Sequence, residues 1–137
     1  MIEDDNINTR EFVEMLYIDF LKEPVGNDML REGRRRGWLE DMDETKTDDT
    51  LTRKSAARIL HEFLKKEYGI RDIEDIKKAE ELKDLYDCRV CANHIAQVYL
   101  RGLMEARNPG VLIFDSDSKI GRDEALKIKS ELERFLK

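Results

Sequence analysis

The sequence predicts an all-α fold: one compact helical domain built from an internal repeat. Three observations predict it. Apolar residues recur every three or four positions in five stretches, glycines stand where several of those stretches stop, and an apolar–small–arginine pattern opens three of the helical segments. A chain of 137 residues suffices for one domain, which can bury roughly two-thirds of its unfolded surface. Apolar residues make up 40% and charged residues 41%. The second figure is well above the usual quarter and predicts solvated, charged helix faces. Two prolines and seven glycines are too few for a collagen-like or loop-dominated chain.

The first helix starts near Thr9, with Phe12, Leu16 and Phe20 four apart, and Pro24 with Gly26 stop it. The second is short, from about Asn27 to Arg36, and Gly37 ends it. The third follows Thr52, with Ala56, Ile59, Leu60, Phe63 and Leu64 on one face and Tyr68-Gly69 at its close. The fourth covers about Ala92 to Leu100, with Ile95, Val98 and Tyr99 inward, and Gly102 ends it. The last runs from Arg122, with Ala125, Ile128, Leu132, Phe135 and Leu136 on one side. Between them, Ile73, Ile76, Ala79, Leu82 and Leu85 repeat every third residue, which suits a surface helix. Val111 to Phe114 is the only apolar run with strand character, read as a short extended piece packed on the core.

Charge narrows the function. A formal net charge of -6 repels phosphate backbones, so nucleic-acid binding is not expected. The basic run Arg34-Arg35-Arg36 after Arg31 has two readings: an anion site, or a solvated helix end whose cations suit the C-terminal dipole, the reading preferred here. No stretch approaches the apolar length of a membrane span. The start, Met1 to Asp5, is acidic and lacks a signal peptide's basic opening and apolar core. The expectation is therefore either a cytoplasmic protein or a piece of an exported one.

No Ser-His-Asp set, glycine-rich phosphate loop or His-Glu-x-x-His motif is present, so neither an enzyme nor a cofactor is expected. Cys88-x-x-Cys91 with His94 resembles a partial zinc set; Asp84, Asp87, His61 or a partner chain would have to complete it. The preferred reading makes both cysteines small core or boundary residues, with no disulfide framework implied. Asp115-x-Asp117 begins like a calcium loop, but Ile120 and Leu126 stand where an EF-hand needs Gly and Glu. Trp38 divides evenly between a sugar-stacking platform and a core anchor.

The repeat is visible in two stretches. Arg36-Gly37-Trp38-Leu39-Glu40 leads through a polar loop to Leu51-Thr52-Arg53, and Arg101-Gly102-Leu103-Met104-Glu105 leads through another to Ile120-Gly121-Arg122. Ile7-Asn8-Thr9-Arg10-Glu11 repeats the final part. Gly37 and Gly102 are expected to take the left-handed conformation, with Thr9 and Thr52 as N-caps. An arginine at the first helical position, where this reading places all three, opposes the macrodipole. Three of them imply another task, either tying down the preceding acidic loop or binding an anion.

This pattern resembles the S-layer homology (SLH) repeat, in which a helix ends in a Gly turn and a Thr-Arg-Glu-like motif opens the next helix. Thr9-Arg10-Glu11, Thr52-Arg53 and Gly121-Arg122-Asp123-Glu124 carry the likeness. It covers a partial unit at 7–22, a unit at 28–68 and another at 84–137, within a single domain spanning 1–137. The resemblance implies a pseudo-trimer of helix–loop–helix units around a shared helical core. It also implies a non-catalytic module that anchors a protein to an anionic cell-wall polysaccharide of a Gram-positive-type envelope. Arg10, Arg53 and Arg122 would pair with charge, and neutralising them would weaken binding with the fold intact. The alternative is an intracellular protein-interaction or scaffold domain that keeps the fold without the sugar site. The departures are a first unit without its opening helix, Lys54 for an acidic residue, and Gly121 for Thr.

Overall fold

A computed structural model describes residues 6–107 and 110–137. The acidic start, Met1 to Asp5, lies outside the described residues. The protein is helical, and no named strand occurs among the described residues. In chain order the helices are α1 (Thr9–Met15), α2 (Met29–Arg35), α3 (Asp41–Thr45), α4 (Arg53–Tyr68), α5 (Arg89–Leu100) and α6 (Arg122–Phe135).

Each helix start follows from local chemistry. The α1 cap is Asn8 rather than Thr9. The Asn8 side chain accepts from the Glu11 amide at 2.8 Å, and Glu11 accepts from the Asn8 amide at 3.1 Å, a reciprocal capping box. Thr52 caps α4 through the Ser55 amide, whereas Gly121 offers α6 no side-chain cap. Past Met15 the first helix widens into a π-helical stretch, Leu16–Leu21, which places Tyr17 in the core beside Leu16. Helix α3 lies inside what reads in sequence as a polar loop; its signal is a second capping box, Glu40 with Asp43.

The glycine stops at Gly37 and Gly102 are as expected, whereas the first helix ends at Leu21 on a left-handed Lys22 (φ 58°), before Pro24 and Gly26. Gly37 (φ 95°) and Gly102 (φ 75°) are left-handed. In both, the next amide reaches back five residues: Trp38 donates to the Gly33 carbonyl at 3.2 Å, and Leu103 to that of Val98 at 2.9 Å.

The segment expected as a surface helix at 72–86 forms two 3₁₀ pieces instead, Lys77–Glu81 and Leu85–Asp87. The reason is visible in the spacing. Ala79, Leu82 and Leu85 are all buried and fall every third residue, which is the 3₁₀ repeat, not the α repeat. Val111 to Phe114 forms no named strand. Its backbone is held by Lys83 donating to Leu112 and by the Asp84 carboxylate accepting from Phe114 and Asp115, which seats Phe114 in the core.

The core gathers Phe12, Leu16, Trp38, Leu60, Phe63, Ile95, Phe114 and Leu132. At its centre, three residues that precede helix starts bond in a closed ring. Ile7 donates to Ile120 at 3.0 Å, Ile120 to Leu51 at 3.0 Å, and Leu51 to Ile7 at 2.9 Å. All three side chains are buried. The ring satisfies three extended backbone segments that would otherwise be unpaired inside the protein, and it fixes the starts of α1, α4 and α6 against each other.

Candidate functional site

The ring sets the register of everything around it. One residue past each cap stand Thr9, Arg53 and Arg122. The next positions are Arg10, Lys54 and Asp123, and the third position of each helix holds Glu11, Ser55 and Glu124. Backbone bonds keep the same register: Arg10 donates to the Thr47 carbonyl at 3.1 Å and Lys54 to that of Ser116 at 3.0 Å, each acceptor four residues before a ring residue. The side chains follow. Arg10 lies 3.6 Å from Asp48 and Lys54 2.8 Å from Asp117. Arg10 is thus the counterpart of Lys54, and Thr9 holds the place of Arg53 and Arg122.

Those two arginines each reach the third residue of a neighbouring helix. Arg53 pairs with Glu124, and Arg122 with Glu11 at 3.0 Å. Their surroundings differ. The Arg53 side chain is 4% exposed and each of its nitrogens donates: Nε to the Phe114 carbonyl at 2.9 Å, Nη1 to Glu124 and Nη2 to the Glu105 carbonyl. Its guanidinium lies over the Phe114 ring, 4.4 Å from the centroid. Burial lowers its pKa from the ordinary arginine value, and Glu124 opposes that shift. Arg53 therefore anchors the loop between α5 and α6. The Arg122 side chain is 54% exposed.

Grooves lie at these junctions. One of about 290 Å³ separates the 102–107 turn from α6 and is lined by Arg53, Arg107, Lys127, Glu105, Asp123, Glu124 and Glu131. Arg107 shares Glu124 with Arg53, and Lys127 pairs with Glu105 at 2.7 Å. A second, about 220 Å³, runs between α1 and α6. It is floored by Ile7, Phe12, Met15, Ala125 and Leu126 and rimmed by Glu11, Arg122 and Lys129. A smaller one, about 130 Å³, opens near Thr9 and Ser55.

Trp38 takes the core-anchor reading. It is 1% exposed, packed against Tyr17 and Phe63, and its Nε1–H donates to Glu67 at 2.8 Å. No face is left for a sugar ring, so the platform expectation is corrected. The basic run is ion-paired as well. Arg31 and Arg34 meet Glu44, Arg35 meets Glu32, and Arg36 bonds Glu23, Glu32 and Glu67.

The zinc-like trio is also rearranged. Cys88 and Cys91 are joined in a disulfide, which removes both as thiolate ligands and departs from the expected pair of unlinked boundary residues. His94 turns away from them to His61, Nδ1 to Nδ1 at 2.7 Å. Burial and the neighbouring His61 push the His94 pKa down to about 4.

Sequence reasoning did not single out Arg107, Lys127 or the bidentate pair of Arg58 with buried Asp43, at 2.8 Å through both oxygens. Burial alone would lower the Arg58 pKa, but Asp43 and Glu40 outweigh it and raise it. Only the Asp43 capping box could have flagged that pair.

Compared with protein families, curated proteins and solved structures, the chain matches none.

Proposed function

We propose that the chain is a non-catalytic binding module of the SLH kind, with three helix–loop–helix units, the first partial, arranged about a shared centre. The observation that carries this reading is the closed hydrogen-bond ring of Ile7, Leu51 and Ile120. The matching register around it, down to the Arg10–Asp48 and Lys54–Asp117 pairs, supports a common origin for the units. The ligand is an anionic cell-wall polysaccharide. It meets the cations at the rims of the junction grooves, Arg122 and Lys129 in one and Arg107 and Lys127 in the other, because the Arg53 side chain is buried and tied to Glu124 and two carbonyls. The Cys88–Cys91 disulfide favours an oxidising, cell-surface setting.

A second reading is a protein-interaction scaffold. The groove at Arg53 favours it, because four carboxylates there (Glu105, Asp123, Glu124, Glu131) face three cations (Arg53, Arg107, Lys127). Sedimentation with isolated cell walls separates the two. The parent chain co-sediments, and an Arg107→Gln/Arg122→Gln variant with an unchanged circular dichroism spectrum stays in solution. Equal sedimentation of parent and variant, or none of either, rejects the polysaccharide reading.

A further inference from the structure

None of the three junction grooves contains a histidine, yet both histidines of the chain meet elsewhere, between α4 and α5. His61 sits on the inner face of α4 and is 5% exposed. Its Nε2 lies 2.7 Å from Asp72 Oδ1, and the other Asp72 oxygen accepts from Asn93 Nδ2 at 3.1 Å. A carboxylate is acceptor-only when ionised, so Nε2 carries the His61 proton and Nδ1 presents a lone pair. That lone pair faces His94 Nδ1 at 2.7 Å. Two imidazole nitrogens this close need a proton or a cation between them. Glu62, next to His61 on α4, brings a carboxylate oxygen so that all three candidate ligand atoms lie within 4.8 Å of one another.

We propose that His61, Glu62 and His94 bind one divalent transition metal ion of the zinc class, bridging α4 and α5. In the metal-free chain the His94 Nδ1–H donates to His61 Nδ1. The ion takes the place of that bond: the neutral His94 ring gives up its Nδ1 proton and takes one up at Nε2, with no net proton release, and both Nδ1 lone pairs bind the ion with the Glu62 carboxylate as third ligand. Tetrahedral zinc with Zn–N bonds of about 2.0–2.1 Å sets its two nitrogens roughly 3.3 Å apart. The rings need therefore part by only roughly 0.6 Å, within the reach of small side-chain rotations. Asp72 holds the His61 ring and its tautomer, the carboxylate–histidine arrangement that supports a metal ligand from behind. Two imidazoles and one carboxylate suit zinc, nickel or copper; calcium and magnesium prefer oxygen sets. The cysteines take no part, because they are bonded to each other. A fourth position is left for water or a donor from a partner.

The experiment uses the full chain stripped with a chelator and desalted. Zinc chloride is titrated by calorimetry, and cobalt(II) chloride by its visible absorption. One ion per chain is expected, with an intense cobalt spectrum of four-coordinate type and no heat from magnesium or calcium. Glu62→Gln and His94→Ala, each checked by circular dichroism, should weaken zinc at least tenfold, and Asp72→Asn about 10- to 100-fold. Glu62 lies partly at the surface, so its variant keeps the test open if His94→Ala fails to fold. A Cys88→Ser/Cys91→Ser double variant should bind as the parent does. No zinc binding up to millimolar concentration overturns the proposal. So does binding unchanged in folded Glu62→Gln, or binding lost with the cysteines.

Discussion

Arg53 and Arg122 occupy the same place after a ring residue, and each reaches the third residue of a neighbouring helix. One side chain is buried and the other half in water. The difference comes from what lies over them. The turn after Gly102 and the Phe114 segment close on Arg53, each supplying a carbonyl, while no such turn covers Arg122 among the described residues. A charge placed by the same sequence pattern thus becomes a structural tie under one loop and a rim cation without it. The energetics follow: a buried ionic group is costly to orphan, while an exposed pair contributes about 0–1 kcal/mol.

The largest break in that contrast is Arg53→Gln. It leaves Glu124 to Arg107 alone and strands two carbonyls, and urea denaturation should show a loss of about 2–4 kcal/mol, since a buried acceptor left unpaired costs about 1–3 kcal/mol. A loss below about 1 kcal/mol would mean that the tie is dispensable. Smaller is Gly102→Ala, which strains the turn that covers Arg53. A Cβ there meets nothing within 4 Å, so the cost is that of the left-handed backbone alone, about 1 kcal/mol in the same assay. Smallest is Arg122→Gln, expected to change stability by less than about 0.5 kcal/mol while weakening sedimentation with cell walls.

Much of the fold was legible because its signals are local. The periods of α4 and α6, the glycine stops at Gly37 and Gly102, and the Thr52 cap need only neighbouring residues. The first helix start misled by one residue. Thr9-Arg10-Glu11 looks like the motif, but Asn8 with Glu11 forms the capping box, and this shifts Arg10 onto Lys54 and leaves Thr9 in the arginine's place. At 72–86 the three-residue spacing suits an α-helix less well than the 3₁₀ turns that form there. The site was less legible because its decisive contacts are remote in sequence. His61 meets His94 across 33 residues, and Arg53 reaches Phe114 across 61. Nothing in the local pattern distinguishes a buried arginine from an exposed one.

The central claim is that three helix starts are locked in one ring, and amide exchange under native conditions tests it most directly. The Ile7, Leu51 and Ile120 amides each donate to the next segment. They should exchange with one common free energy close to that of global unfolding, and Arg53→Gln should lower all three together. Free exchange at any one of them while the other two stay protected would contradict the ring.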